Sequence, residues 1–281
     1  MIRLDSKVAI VTGAGRGLGR AYALALARAG AAVVVNDVAA SAADAAVDSG
    51  PGAVVQEIRA AGGRAIGILE SVADSRGAQL LIQESVAAFG RVDILVNNAG
   101  IVRGGLIVEM TDADFDAVVA VHLRGTFLCT REAMRVMQRA GRGGRIINVT
   151  SGRAYYAPSP GSANYAAAKG GIISFTTVTA AEGQDAGITC NAISPLARTP
   201  MSEAYLAGDT DPSLDPDAVA PVVVFLASEA AAAITGHVFR IARGEIAVVQ
   251  PTIGPALRSV KERWTADEMA ERIGEICSSR S

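Results

Sequence analysis

A tyrosine and a lysine stand four residues apart in the segment SANYAAAKGGIISF, as Tyr165 and Lys169. This spacing places both side chains on one face of a helix. A phenol ordinarily keeps its proton up to about pH 10, but a nearby ammonium group stabilises the phenolate. Tyr165 is therefore a candidate base for taking a proton from a hydroxyl group. Lysine occurs at only three positions in the chain, which makes this pairing more informative than one between common residues.

Ser151 is a further candidate, because it directly follows the apolar run GRIINVT. A hydroxyl at the end of a buried strand projects into the cleft where open α/β sheets bind ligands. There it is suited to holding the oxygen of an alcohol or a carbonyl. In isolation Ser151 is better interpreted as a turn residue. Together with Tyr165 and Lys169, a catalytic role becomes the stronger interpretation.

A glycine-rich turn follows the first apolar run and contains Gly13, Arg16, Gly17, Leu18 and Gly19 in the pattern TGxxxGxG. Glycine lets a backbone turn tightly and approach a pyrophosphate closely, with the amides of a helix N-terminus directed at its charge. The turn therefore predicts a dinucleotide-binding loop, although simple strand-to-helix turns share its composition.

Asp37 ends the next apolar run and indicates which dinucleotide binds. A carboxylate at this place accepts hydrogen bonds from the adenosine ribose and repels the additional phosphate of NADP. Arg16 has the opposite tendency, since an arginine in the loop is able to hold that phosphate. We give Asp37 the greater weight because it stands at the strand end, and we predict NAD as the cofactor. The alternative is that Asp37 is an ordinary turn residue.

Six short apolar runs, each followed by a stretch of helical length, must position these residues. The alternation predicts an α/β fold: a single Rossmann-type, doubly wound parallel sheet with helices on both faces. Thr111 and Thr265 carry capping signals for helix starts, and residues 41–52 read as a loop. The predicted strands are Val8–Thr12, Ala32–Asp37, Arg64–Ile68, Asp93–Asn97, Gly144–Thr150 and Ile188–Ser194.

The composition excludes several classes of protein. Half of the 281 residues are hydrophobic and 19% are charged, which fits a single domain over residues 1–281. A net charge of −2 argues against nucleic-acid and membrane partners. No signal sequence or bilayer-length apolar run is recognised. The three scattered cysteines predict neither disulfides nor a metal site, and they favour the cytoplasm.

These motifs, in this order, resemble the short-chain dehydrogenase/reductase family over about residues 5–245. The resemblance implies that the single domain has its core there and a C-terminal extension at about 246–281. The loop TGAGRGLG, the motif NNAG and the segment NAISP all match the family. The resemblance implies that Ser151, Tyr165 and Lys169 are catalytic, and that Lys169 also binds the nicotinamide ribose of the cofactor. To the cofactor site it adds Ser71, Val72, Asn98, Ala99, Gly100, Tyr165, Lys169, Pro195 and Thr199.

Within the family, the segments VHLRGTF and DAVAPVVVFLASE are most similar to the dehydrogenase units of type 2 multifunctional enzymes. This resemblance implies NAD-dependent interconversion of (3R)-3-hydroxyacyl-CoA and 3-oxoacyl-CoA, by a homodimer or homotetramer. Ketone reduction and the oxidation of steroids, terpenoids or polyols remain alternatives, because variable loops set specificity. A non-catalytic NAD-binding protein is a further alternative, against which the intact catalytic residues argue.

Four features depart from the family pattern, and one of them is the stretch from Ser151 to Tyr165, which is one residue longer than is common. His122 stands where the family usually has asparagine, Leu196 replaces a glycine, and Ser71 occupies the place of an acidic residue that contacts adenine. From the residues alone, His122 reads as a buried histidine of a helix core. The resemblance instead implies that it belongs to the catalytic site, where its backbone carbonyl holds a water that links the lysine to solvent. We expect its ring to form local hydrogen bonds.

Overall fold

The computed structural model describes residues 2–38, 50–156, 159–202, 206–260 and 263–277. In this part of the chain eight strands form one sheet in the order β3-β2-β1-β4-β5-β6-β7-β8. The strands are β1 Val8–Val11, β2 Ala32–Asn36, β3 Arg64–Ile68, β4 Ile94–Asn97, β5 Gly144–Val149, β6 Ile188–Pro195, β7 Val238–Ala242 and β8 Glu245–Val249. The helices are α1 Gly17–Arg28, α2 Pro51–Ala60, α3 Ser75–Phe89, α4 Asp112–Val119, α5 Gly125–Ala140, α6 Ala163–Gly183, α7 Pro216–Leu226, α8 Ala266–Arg272 and α9 Gly274–Cys277.

The sheet is parallel from β3 through β7. Its central strands are buried along their whole length, which explains why they are continuous apolar runs without alternation. Helices α1, α2 and α7 pack on one face of the sheet, and α3, α5 and α6 pack on the other. The predicted doubly wound fold is therefore confirmed, with each of the six predicted strands present and ending within one residue of its predicted end.

Two features of this fold differ from the sequence-based expectation. The strands β7 and β8 were not predicted, and they are joined by Arg243 and Gly244, both with positive φ. Such a two-residue turn makes a β-hairpin, so β8 runs antiparallel to β7. The loop predicted at 41–52 is wrong at its end, because Pro51 and Gly52 open helix α2, where proline is well suited to the first turn. Residues 41–49 of that loop lie outside the described residues.

The chain divides into two compact units, Met1–Val248 and Val249–Ser281. The second contains α8, whose predicted cap is present: the Glu268 amide donates to the Thr265 hydroxyl at 3.2 Å. The Glu268 carboxylate in turn accepts hydrogen bonds from the Val260 amide and the Ser259 hydroxyl. The single domain with an extension stays a prediction. Of the helices that the structure describes, none has the length and apolar character needed to cross a bilayer.

Candidate active site

A cavity of about 600 Å³ opens at the carboxyl ends of the parallel strands. This is the edge at which open α/β sheets bind ligands, because the loops and helix N-termini that follow the strands meet there. The structure brings every sequence-predicted site residue to the lining of this one cavity. They are Gly13, Arg16, Gly17, Leu18, Gly19, Asp37, Ser71, Val72, Asn98, Ala99, Gly100, His122, Ser151, Tyr165, Lys169, Pro195 and Thr199.

The glycine-rich turn after β1 is packed against the NNAG segment after β4. A Cβ on Gly13, which has a φ of +62°, would lie 2.7 Å from the Ala99 Cα, and a Cβ on Gly19 would lie 2.2 Å from the Gly13 carbonyl oxygen. The Asn98 side-chain amide donates to the Gly13 carbonyl at 3.0 Å. Close backbone approach thus requires glycine here, and it leaves the start of α1 facing the cavity without any acidic side chain in its first turn.

Asp37 directly follows β2 and lines the same end of the cavity. Its carboxylate accepts one hydrogen bond from the Gly15 amide at 2.9 Å and another from the Val38 amide at 2.8 Å. A Cβ on Gly15 would lie 2.8 Å from the Asp37 carboxylate. The negative charge is therefore fixed beside the glycine-rich turn by backbone donors.

Sequence reasoning missed three further residues that line this end: Asn36, Val38 and Glu70. The Asn36 amide donates to the Glu70 carbonyl at 2.9 Å, which ties the end of β2 to the segment after β3. Ser71, predicted for this segment, uses its hydroxyl to accept a hydrogen bond from the Ala73 amide. Glu70 stands two residues after β3. An acidic side chain so close to a strand end is the signal by which the sequence could have indicated this residue.

Lys169 lies on α6 one turn after Tyr165, with its Nζ 5.7 Å from the centre of the Tyr165 ring. The ammonium is buried and donates to the Val149 carbonyl at 2.6 Å, while the Lys169 carbonyl accepts from the Thr150 hydroxyl at 2.7 Å. These bonds fasten α6 to the end of β5. Burial lowers the pKa of Lys169 to about 7, because the charged form has lost its water.

Ser151 follows β5 directly and lines the cavity together with Tyr165 and Lys169. Its hydroxyl also accepts a hydrogen bond from the Arg153 amide at 3.3 Å, which starts a short 3₁₀ turn. The end of β5 therefore supplies both a hydroxyl in the cavity and the carbonyl that holds the lysine. The three residues are arranged so that a hydroxyl, a phenol and an amine face one space.

His122 lies in a π-helical turn, Ala120–Arg124, between α4 and α5. Its ring is 1% exposed and lies edge-to-face with the Tyr165 ring, with their centres 5.1 Å apart. The ring Nε2 is 2.8 Å from the Ile101 carbonyl oxygen and 3.0 Å from the Ile101 amide nitrogen. Turns of this kind interrupt helices mostly at functional sites. The ring thus makes local contacts, as expected, and lies against the phenol of the candidate base.

The His122 ring is neutral in this environment. Burial, together with the nearby Lys169 ammonium, lowers the pKa of His122 to about 3. The backbone carbonyl of His122 accepts a hydrogen bond from the Thr126 hydroxyl at 2.6 Å. A water relay at that carbonyl stays a prediction. A Cβ on Gly100 would lie 2.4 Å from the ring Cε1 of His122, so the glycine of NNAG makes room for the imidazole.

Several apolar residues also line the cavity, and sequence reasoning did not select them. They are Ile101, Val102, Val121, Pro200 and Met201. Thr199 lies in a turn in which the Ser202 hydroxyl accepts from the Thr199 amide at 2.8 Å and donates to the Ala197 carbonyl at 2.6 Å. In the described parts of the chain no cluster of three or more His, Cys, Asp or Glu is able to hold a metal ion.

Comparison with known proteins places these features in a family. The family model described as short chain dehydrogenase matches residues 7–209. A hydroxyacyl-CoA dehydrogenase of Mycobacterium tuberculosis is 42% identical over 94% of this chain and 84% of its own length. The crystal structure of a short chain dehydrogenase from Mycobacterium avium superposes with a TM-score of 0.88 at 43% identity, covering 98% of this chain and 95% of the other.

A longer relative shows the same likeness over part of its length. The peroxisomal multifunctional enzyme type 2 of Drosophila melanogaster is 39% identical over 99% of this chain, which spans 48% of that enzyme. The chain thus spans about half the length of this curated relative. Family match, relatives and fold agree that this chain belongs to the short-chain dehydrogenase family, whose members typically use a nicotinamide cofactor, and that it is an oxidoreductase acting on CH–OH groups.

Proposed function

We propose that the chain uses NAD to oxidise the 3-hydroxyl group of (3R)-3-hydroxyacyl-CoA thioesters. The observation that carries this proposal is the single cavity that joins the glycine-rich turn and Asp37 at one end to Ser151, Tyr165 and Lys169 at the other. A dinucleotide bound along this cavity would have its nicotinamide next to Tyr165 and Lys169, the side chains that transfer a proton. The same residues reduce a 3-oxoacyl thioester when the reaction runs in reverse.

The cofactor end fits NAD in both shape and charge. A cavity of about 600 Å³ is within the range of cofactor sites, and the Cβ-free turn after β1 allows a pyrophosphate to approach the backbone. The Asp37 carboxylate is held in place by the Gly15 amide and repels a phosphate on the adenosine ribose. NAD, when bound, supplies the acceptor for hydride.

At the reacting end, Tyr165 takes the proton of the substrate and Ser151 positions the substrate oxygen. The Tyr165 phenolate takes the proton of the substrate hydroxyl while hydride leaves the carbon that bears this hydroxyl, and Tyr165 becomes a neutral phenol. Before this step, a protonated Lys169 stabilises the negative charge of the phenolate. With a pKa of about 7, Lys169 is also able to pass a proton onward near neutral pH.

The thioester substrate is suggested by the relatives and by an apolar wall of the cavity. That wall includes Val102 and Met201, whose side chains are suited to an acyl chain. The Mycobacterium tuberculosis relative carries the name hydroxyacyl-CoA dehydrogenase. We also keep the cytoplasm as the proposed location, because the cysteine usage fits a reducing compartment.

A homodimer or homotetramer formed through α5 and α6 is part of the proposal. These helices carry exposed apolar side chains, among them Phe127 and Val178, and the Phe127 ring lies edge-to-face with Phe175 across the two helices. Exposed aromatic faces of this kind are typical of symmetric interfaces. Light scattering at micromolar concentration is expected to give a dimer or tetramer, and a monomer would contradict this part.

The test is a substrate panel measured by nicotinamide absorbance with NAD and with NADP. It contains both configurations of 3-hydroxybutyryl-CoA, a hydroxysteroid, a polyol and a simple secondary alcohol. The proposal expects the (3R) thioester with NAD to have the highest kcat/KM. Preference for a steroid or polyol, or equal efficiency with NADP, contradicts it. The substitution Asp37→Ala is expected to reduce the NAD preference at least about tenfold, because the repelling charge is gone.

A further inference from the structure

An exposed tyrosine lies directly beside the serine of the candidate site. Tyr156 follows the 3₁₀ turn after Ser151, and its amide donates to the Gly152 carbonyl at 3.0 Å. A Cβ on Gly152 would lie 2.5 Å from the Tyr156 ring. The absence of a side chain at Gly152 therefore lets the ring lie against the backbone next to Ser151. Tyr156 is nevertheless 57% exposed, so it is accessible to a ligand.

Arg240 lies over the Tyr156 ring, with its guanidinium carbon 5.4 Å from the ring centre and its Nε 3.4 Å from the phenol oxygen. Arg240 is on β7, opposite Ser194 on β6. The Ser194 hydroxyl accepts a hydrogen bond from Tyr155 at 2.9 Å, and the Tyr155 and Tyr156 rings are 5.2 Å apart. Strands β5, β6 and β7 are neighbours about 4.8 Å apart, so this arginine lies about 10 Å across the sheet from the end of β5.

Arg240 differs from the arginines around it in its partners. Arg198 pairs with Asp215, Arg243 pairs with Asp209 and Asp211, and Arg103 pairs with Asp114. Among the described residues, no carboxylate oxygen lies within 4.0 Å of the Arg240 guanidinium. The hydrogen bond to Tyr156, together with the more distant charge of Glu245, raises the pKa of Arg240, so the guanidinium stays charged.

We propose that Tyr156 and Arg240 form a subsite that receives the phosphate-bearing arm of a coenzyme A thioester while its acyl end lies at Ser151 and Tyr165. The inference rests on the proposed function, which supplies the thioester. Guanidinium groups bind phosphate through paired N–H donors, and an aromatic face underneath keeps them oriented. Since Tyr156 is exposed and follows the 3₁₀ turn that begins after Ser151, the pair is accessible to an arm that extends out of the cavity.

The test compares three thioesters of the same 3-hydroxyacyl group: coenzyme A, pantetheine and N-acetylcysteamine. Only the first carries phosphate. In Arg240→Gln the KM for the coenzyme A thioester is expected to rise about fivefold, with KM for the other two unchanged. Added salt is expected to raise KM for the coenzyme A thioester in the unmodified protein and to have less effect in the variant. Tyr156→Phe, which removes only the hydroxyl beside the guanidinium, is expected to give a smaller rise.

Arg243→Gln is the matched control, because Arg243 is on the same hairpin but is paired with Asp209 and Asp211. It is expected to leave the ratio of the coenzyme A and N-acetylcysteamine KM values unchanged. An Arg240→Gln variant with an unchanged ratio would overturn the subsite, and so would an equal rise for all three thioesters.

Titration calorimetry with free coenzyme A separates this inference from the proposed function. If the protein oxidises no thioester but binds coenzyme A more weakly after Arg240→Gln, the reaction is wrong and the subsite is supported. If thioesters are oxidised and coenzyme A binding is the same in both proteins, the reaction is supported and the subsite is wrong. If coenzyme A does not bind at all, the subsite is overturned.

Discussion

Two groups of ionisable side chains differ in their partners. One group lies inside the cavity, and the other belongs to the adjoining segment, residues 196–202 and 206–215. Inside, Lys169 and His122 are buried and bonded to backbone groups of Val149 and Ile101. In the segment, Arg198 pairs with the carboxylate of Asp215 in a solvent-exposed setting. Arg243, on the β7–β8 hairpin, likewise pairs with Asp209 and Asp211 of that segment.

The pKa shifts follow this division. Burial lowers the pKa of Lys169 to about 7 and that of His122 to about 3, whereas the Asp209 carboxylate raises the pKa of Arg243. A carboxylate next to Lys169 would keep the lysine charged and slow its exchange of protons. The buried Lys169 amine thus exchanges its proton readily near neutral pH at a cost in stability, whereas the charges of the segment are fixed and only position the chain.

The largest effect is expected from Tyr165→Phe, which keeps the ring packed against His122 and removes the hydroxyl. If the phenol takes the substrate proton, kcat should fall by about a thousandfold or more, with the melting temperature little changed. Tyr22→Phe is the control, because the Tyr22 hydroxyl is buried in α1 with no hydrogen-bond partner among the described residues. It should retain full activity. Turnover that survives Tyr165→Phe would remove the phenol from the mechanism.

The next effect is expected from Lys169→Met, which should lower kcat about a hundredfold and yet stabilise the fold near neutral pH. Burial lowers the folded-state pKa of this lysine from 10.5 to about 7. Between those values the unfolded chain binds the additional proton, so the free energy of unfolding of the unmodified protein rises with pH. The gain in the variant should be on the order of 2 kcal/mol at pH 7 and below, and it should shrink toward pH 10.

Urea denaturation at several pH values measures this difference. Lys7→Met is the matched control, because Lys7 is paired with Glu229 at 2.9 Å. It should show no gain in stability at pH 7. A Lys169→Met protein that is less stable than the unmodified one at pH 6 would mean that the buried ammonium stabilises the fold, and the contrast between cavity and segment would fail.

A smaller effect is expected from His122→Phe, which keeps an aromatic ring against Tyr165 but loses the bond to Ile101. With a pKa of about 3, the imidazole does not titrate in the working range. We therefore expect kcat to fall about tenfold while the pH dependence of kcat/KM keeps its shape. A lost or displaced limb of the profile would show that the ring transfers protons, and full activity in His122→Ala would show that the ring is dispensable.

The close contact of Gly100 with this ring offers a second way to test its role. Gly100→Ala places a methyl group 2.4 Å from the His122 Cε1 if nothing moves, so the ring must shift and kcat should fall by a similar factor. Combining it with His122→Ala removes the clash. The double variant should then be no slower than His122→Ala alone, and strictly additive losses would mean that Gly100 acts on the cofactor instead.

Local motifs made most of the site predictable. The glycine-rich turn, Asp37 and Ser151 follow continuous apolar strands, and such strands end at one edge of a parallel sheet. Strand β8 was missed because it is largely exposed and has no alternating pattern. The apolar residues Val102 and Met201 were missed because their side chains carry no chemical signature. The close packing of the His122 ring on Gly100 was missed because the two residues are far apart in the sequence, and a local pattern does not show such a contact.

The smallest effect is expected from Arg243→Gln. Its ion pairs with Asp209 and Asp211 are exposed to solvent and to salt, and such pairs contribute little to stability. The melting temperature should shift by less than about 2 °C and kcat by less than about twofold, because Arg198 still binds the carbonyl groups of Asp209 and Asp211. A large loss of kcat with unchanged stability would mean that this outer charge controls the position of residues 199–202 at the cavity. The segment would then belong to the catalytic apparatus, and its carboxylate partners would be as important to turnover as the backbone partners of Lys169.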